Sequence, residues 1–276
     1  MSCSGIHRRA FVHSALCLAT VVCSAALPHA ARAAGPGPSA ALQSGDPARV
    51  GPAIDALGQR RDRAAVELLA EFLERGQPDA LADRALQALG KTGSRESLRV
   101  LAQFTHHRRP SARRAAFEAS AQIPGEPANE IIAQGLRDSD AGVRGLCALR
   151  LGERGAKSQL EVLFHALDRA VPEASIAIGR MGDASAVARL HTHLGQLPIQ
   201  VMLGGYEQFL VRGDIAEETK LEIVARLGEV AGLTVKRFLE ALLGNKAVSG
   251  QPRLMHAIAE TAKRIDDRPK PLEKKQ

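Results

Sequence analysis

The stretch DRALQALGKTGSRESLRVL, Asp83 to Leu101, joins two helical patterns through a polar corner. Its first half is rich in Ala, Leu and Arg, which favour helix. Leu89-Gly90 ends that half, and a terminal Gly permits the left-handed conformation that closes a helix. The second half carries Leu98, Leu101 and Ala102 at helical spacing.

The plan recurs. AIDALGQRRDRAAVELL begins at Ala53, CALRLGERGAKSQLEVL at Cys147 and SIAIGRMGDASAVARL at Ser175, with a looser copy, AFEASAQIPGEPANEIIAQGL, from Ala116. The joints fall at Leu57-Gly58, Leu89-Gly90, Ala121-Gln122, Leu151-Gly152 and Ile178-Gly179, in steps of 32, 32, 30 and 27 residues. A period of this size marks stacked helical hairpins, each too small to bury its apolar face alone. Asp62, Ser94, Ser158 and Asp183 stand where they would cap the second helices, and Ser158 with Glu161 has capping-box spacing. The fold class is therefore all-α, a right-handed α-solenoid of stacked helical hairpins, with regular repeats over 46–197.

The repeats resemble HEAT repeats, in the short version of the phycobilin-lyase-like HEAT family. That pattern has Asp, then Val-Arg, spaced alanines and a Leu-Gly end. DAGVRGLCALRLG (Asp140 to Gly152) fits closely, DPARVGPAIDALG (Asp46 to Gly58) fits with Val and Arg exchanged, and RPSARRAAFEAS (Arg109 to Ser120) fits loosely. The Trp of tetratricopeptide repeats and the Thr-Pro-Leu-His of ankyrins are missing from the sequence. Chromophore attachment, known for some of that family, is not expected of an exported chain, so the resemblance implies the repeat alone.

After Pro198 the period breaks. LEIVARLGEVAGLTVKRFLEALL (Leu221 to Leu243) repeats the plan, and PIQVMLGGYEQFLVRG before it reads as one added helix with a turn at Gly204-Gly205-Tyr206. Asp214 with Glu217 has capping-box spacing, and Gln251 to Asp267 reads as a last amphipathic helix. Residues 198–267 are thus an irregular end and cap, and 268–276 a disordered tail.

The N-terminus carries an address. Arg8 and Arg9 precede an apolar run from Ala10 to Leu27, and a small-x-small pattern ends at Ala33. This is the layout of a signal peptide over 1–33, cleaved between Ala33 and Ala34, with no stable membrane span afterwards. RRAFV (Arg8 to Val12) resembles the twin-arginine signal; an ordinary basic start is the alternative. Cys3, Cys17 and Cys23 lie in this segment, leaving Cys147 as an apolar filler. The expected location is periplasmic or extracellular. Gly, Pro and Ser dominate the following residues, and 34–45 read as a flexible leader.

The chain has 276 residues, 45% of them hydrophobic, and only 3% are aromatic, with no Trp and a single Tyr. Interleaved small aliphatic residues suit closely packed helices better than β-sandwiches. The formal charge is +7, of which Arg8, Arg9 and Arg32 supply three, so the mature chain carries +4.

No chemical centre emerges. HTH (His191 to His193) reads as two solvated histidines, because residues i and i+2 diverge on a helix. HHRR (His106 to Arg109) reads as an exposed basic turn. Deoxyhypusine hydroxylase, a HEAT-type enzyme, holds iron through His-Glu pairs, and this chain has no His-Glu dipeptide. GKTGS (Gly90 to Ser94) lacks the spacing of a phosphate loop and follows a helix rather than a strand. No cofactor, metal or catalytic residue is assigned. Arg60, Arg61, Arg63, Arg108, Arg109 and Arg113 form a candidate basic interaction edge, and Arg114, Asp140 and Arg144 a candidate ladder between repeats. Nucleic acid is not an expected partner, since acids interleave with these arginines and stacking aromatics are absent.

The reading that follows is a non-catalytic exported scaffold, binding an unidentified protein or peptide along a concave face made by the second helices. The alternatives are an accessory or maturation subunit of an exported enzyme, and a small-ligand or catalytic protein with its site in the irregular C-terminal region. The oligomeric state is left open.

Overall fold

The computed structural model describes residues 37–265. The expected signal, twin-arginine motif, cleavage at Ala33 and Ala34, and terminal tail 268–276 lie outside the described residues.

Among the described residues the secondary structure is helical. A short α1 (Pro38–Gln43) leads into α2 (Pro47–Gly58) and α3 (Arg63–Glu74), then α4 (Asp79–Lys91) and α5 (Glu96–Phe104). The pairs continue with α6 (Pro110–Ala121) and α7 (Glu126–Gln134), then α8 (Ala141–Glu153) and α9 (Leu160–Leu167), then α10 (Pro172–Met181) and α11 (Ala184–His191). The C-terminal part holds α12 (Ile199–Val211), α13 (Glu217–Val230), α14 (Leu233–Leu243), α15 (Lys246–Ser249) and α16 (Pro252–Arg264). These form an all-α solenoid of two layers.

Even-numbered helices make the first layer and pack closely from α2 to α12. Their glycines explain the approach. A Cβ added at Gly58 would stand 3.0 Å from the Ala88 backbone, and one at Gly152 would stand 2.9 Å from that of Ala177. At the α10–α12 crossing a Cβ on Gly205 would meet the Ser175 carbonyl at 2.6 Å. The Leu-Gly joint is thus a contact as well as a stop: the glycine lets the next backbone touch. Odd-numbered helices stand further apart, spaced by Leu69, Phe72, Leu98, Ile132 and Phe164. Two layers of unequal spacing bend toward the tighter one. The first helices, not the second, therefore line the inner side, which reverses the expectation for the concave face.

The apolar interior follows the array in two clusters that meet at α6 and α7. One runs from Ala41 to Ala128, the other from Phe117 to Ile265, and Ile131 packs on both. This is the continuous core that repetition builds from small units.

Local details correct several expectations. Part of the expected flexible leader is α1, which buries Ala41 and Leu42 against α2 and covers the end of the array. Asp62 and Asp183 cap α3 and α11 as expected, and Asp46 and Asp140 cap α2 and α8. Ser94 instead bonds Glu96, and Ser158 donates to Glu126 of the preceding repeat at 2.5 Å. Asp214 pairs with Arg212 rather than capping α13. Gly204, Gly205 and Tyr206 lie inside α12, where small residues admit α10; they are not a turn.

Candidate functional sites on the first-helix layer and the α11–α13 cleft

Arginines join the repeats. Arg84 of α4 holds Asp55 of α2 through two hydrogen bonds and lies over Gly51. Arg113 of α6 grips Asp138 at 2.7 and 2.8 Å, and the pair is nearly buried. Arg154 donates to the carbonyls of Ala121 and Gly125, and Arg212 to those of Gly179 and Gly182. Burial raises the Asp138 carboxyl, but the Arg113 guanidinium and the Asp140 amide outweigh it, leaving the group below its ordinary value.

The expected ladder is redistributed. Asp140 accepts from the Val143 amide and caps α8. Arg144 donates to the carbonyls of Asp138 and Ser139, bracing the turn of its own repeat. Arg114 reaches across to lie over Gly142 of α8, without an ion pair to a described residue. Its neighbour Arg113 makes the inter-repeat bond instead. The recoverable signal is an acid and an arginine one repeat apart, as in Asp55–Arg84, Glu118–Arg150 and Glu161–Arg189.

The expected basic edge divides in two. Turns within a helix pair and turns between pairs emerge at opposite edges of the array. Arg60, Arg61 and Arg63 belong to the first kind, and Arg108, Arg109 and Arg113 to the second. Arg60 pairs with Asp62 at 2.8 Å and Arg63 with Glu67 at 2.7 Å. Arg109 faces Asp79 and Asp83 at 3.1 and 3.5 Å, and Arg113 is committed to Asp138. Arg61 and Arg108 remain exposed without an ion pair to a described residue. No continuous cationic stripe results.

The inner layer shows a different pattern, one that sequence reading did not single out. Glu118, Arg150, Glu153 and Arg180 alternate in charge across α6, α8 and α10. Arg150 bonds Glu118 and Glu153, the latter at 2.6 Å, and Arg180 approaches Glu153 at 3.7 Å. Beside this self-neutralised chain stand Leu146, Leu149, Ile176 and Leu203, all half-buried. Ile176 lies over Gly204, where a Cβ would meet its Cγ1 at 2.7 Å. The result is a shallow apolar row flanked by paired charge. Its signal was present in the outer positions of each first helix, at 146, 149, 176 and 203.

The histidines also differ from expectation. His193 is mostly buried, sets its Nδ1 and Nε2 at 3.0 and 2.9 Å from two acceptors, the Arg189 carbonyl and the Asp168 carboxylate, and stacks on Phe164 at 6.0 Å. His191 is 9% exposed and lines a cleft between α11 and α13 with Thr192, Glu222, Arg226 and Glu229. Neither is a solvated surface residue, because Tyr206 of α12 packs on His191 and Phe164 of α9 on His193. Burial lowers the His191 imidazole below its ordinary value, Glu222 opposing it. Cys147 is buried in the core, and burial pushes its thiol up. Among the described residues no group of three His, Cys, Asp or Glu side chains is arranged to hold a metal. No described helix is long and apolar enough to cross a membrane.

Comparison with known proteins agrees with this architecture. Residues 36–121 match the sequence profile of HEAT repeats. No curated protein matches the chain. Among solved structures, a chain of the AP-3 complex in an intermediate open conformation is similar, at 14% identity and a TM-score of 0.52 over 82% of this chain and 49% of that one. The likeness is one of fold, and this chain spans about half of that one. The CpcE–CpcF complex of phycocyanin lyase from Nostoc sp. is similar at 18% identity, TM-score 0.42, over 80% of this chain and 93% of that one. Human deoxyhypusine hydroxylase is similar at 15% identity, TM-score 0.40, over 82% of this chain and 96% of that one. Residues 36–121 thus match HEAT repeats, and the same paired helices continue beyond them as an all-α solenoid.

Proposed function

We propose that this chain is a non-catalytic, exported scaffold that binds a protein or peptide along the face formed by its first helices. One observation carries the reading: the half-buried row Leu146, Leu149, Ile176 and Leu203 lies on the inner layer beside a charge chain that satisfies itself. Paired charges lower the cost of bringing a partner's apolar side chains against the row. The open curve of a solenoid offers such a row to an extended segment or a helix. Export rests on the basic and apolar N-terminus and on the small-x-small pattern ending at Ala33.

The test is the double variant Leu149→Glu with Ile176→Glu. It should keep the helical signal and unfolding midpoint of the parent while losing the partner recovered from the native cell envelope. Equal recovery by parent and variant would refute the assignment of this face. Export is checked by the intact mass of the chain from that envelope, which should begin at Ala34; a mass including residues 1–33 would refute cleavage.

A further inference from the structure

The α11–α13 cleft holds a polar arrangement that packing alone does not account for. The His191 imidazole is nine-tenths buried and makes no hydrogen bond to a described residue. Its Nε2 faces inward without a partner, beside Tyr206, whose ring lies 5.6 Å away and whose buried hydroxyl is also unpartnered. Among the described residues these are the buried side-chain polar atoms left unsatisfied. An orphaned buried polar group is costly, and Nε2 and the Tyr206 hydroxyl fix which face of the ring is turned inward.

The other ring nitrogen, Nδ1, faces the cleft. Nδ1 stands 3.6 Å from Glu222 Oε1, too far for a hydrogen bond. Arg226, one helical turn along α13, lines the same cleft and pairs with Glu229 at 3.1 Å, and Glu222 makes no ion pair with a described arginine or lysine. With a proton on Nε2, the neutral ring presents a lone pair at Nδ1, next to a carboxylate. Two acceptors then converge on a cleft of about 470 Å³. One donor nitrogen can sit at hydrogen-bond distance from both.

We propose that this cleft binds an organic cation bearing at least two N–H donors, a primary ammonium or a guanidinium, between His191 Nδ1 and the Glu222 carboxylate. The cation supplies a charge opposite to that of Glu222 and donates a hydrogen bond to the imidazole Nδ1. Burial of His191 serves this purpose, because a protonated ring would repel the ligand. The groups facing the imidazole are Glu222, Arg226 and Glu229 from α13 and Tyr206 from α12. The site is independent of the first-helix face, since it lies between two second-layer helices.

The test follows the imidazole resonances of His191 in the full chain, assigned by their loss in His191→Gln. Argininamide and n-propylamine are titrated at constant ionic strength, with tetramethylammonium as a cation without N–H donors. Saturable shifts are expected with the first two and none with the third. Glu222→Gln should weaken binding about tenfold or more, since it removes a charge-assisted bond. Glu222 is largely exposed, so this variant should keep the parent's helical signal. No saturable shift, an equal response to tetramethylammonium, or unchanged binding in Glu222→Gln would overturn the proposal. A blocked Gly-Arg-Gly peptide separates two sources of the cation. Binding comparable to argininamide assigns the site to an arginine side chain of a partner, and its loss assigns the site to a free small cation.

Discussion

Arg113 and Asp138, 25 residues apart in sequence, meet through two hydrogen bonds at the junction of two repeats. The same guanidinium reaches the carbonyls of His107 and Arg108 at 3.0 and 3.3 Å. One side chain therefore holds the turn before its own helix and the turn before the next. Asp138 in return accepts the Asp140 amide at 2.8 Å, which sets Asp140 as the cap of α8. Asp138→Ala leaves the Arg113 charge nearly buried and unpaired, and should cost about 3 kcal/mol. Urea unfolding followed by circular dichroism measures it; a loss below about 0.5 kcal/mol, the range of an ordinary surface change, would contradict the assigned role.

The same carboxylate gives an acid dependence. Its pKa in the folded chain is below that of the unfolded chain. The stabilisation is therefore complete above the ordinary aspartate range and is lost as pH falls through the folded value. Asp138→Asn should flatten that part of the stability profile. Parallel acid profiles for parent and variant would argue against it.

Lys220 supplies the opposite test. It is 1% exposed on α13, and its Nζ donates to Gln251 at 3.0 Å. Burial lowers its pKa from 10.5, with Asp214 and Glu217 opposing. Between the folded value and 10.5 the unfolded chain binds more protons, so stability should rise with pH across that window. Lys220→Met should remove this rise and raise stability at neutral pH by about 1 kcal/mol, because an apolar side chain replaces a buried charge. A less stable Met variant with the alkaline rise intact would contradict this.

The glycine joints can be tested by contrast. Gly90→Ala gains helix propensity, yet its Cβ would lie 2.7 Å from the Ala119 Cα. Backbone cannot yield as a flexible side chain can, so a loss of about 2 kcal/mol is expected. Gly213→Ala enters open space, with no heavy atom within 4 Å, and should be tolerated. Equal thermal midpoints for the two variants would refute the contact role of the joint.

The architecture was readable because each repeat states it locally. Leu-Gly joints, Asp62 and Asp183 caps, and apolar residues at helical spacing are short-range signals. Which layer curves inward was not readable in the same way. It depends on Gly90 meeting Ala119 and Gly152 meeting Ala177, contacts between units that a single repeat does not reveal. The same holds for the ladder: Arg113 and Arg114 are adjacent in sequence, and only packing selects Arg113 for Asp138. His191 looked solvated because the ring that covers it, Tyr206, comes from α12 and meets it only when that helix docks. The leader was misread for a related reason: Ala41 and Leu42 find an apolar end to cover.

The inner face is the centre of the account, and a photo-activated cross-linking residue tests it most directly. It is placed singly at Leu149 or Ile176 on the first-helix layer, and at Glu71 or His165 on the second. Irradiation in the native envelope should give one discrete adduct from Leu149 and Ile176 and none from Glu71 and His165. Adducts from the second-layer positions alone, or equally from all four, would contradict binding along the first-helix face.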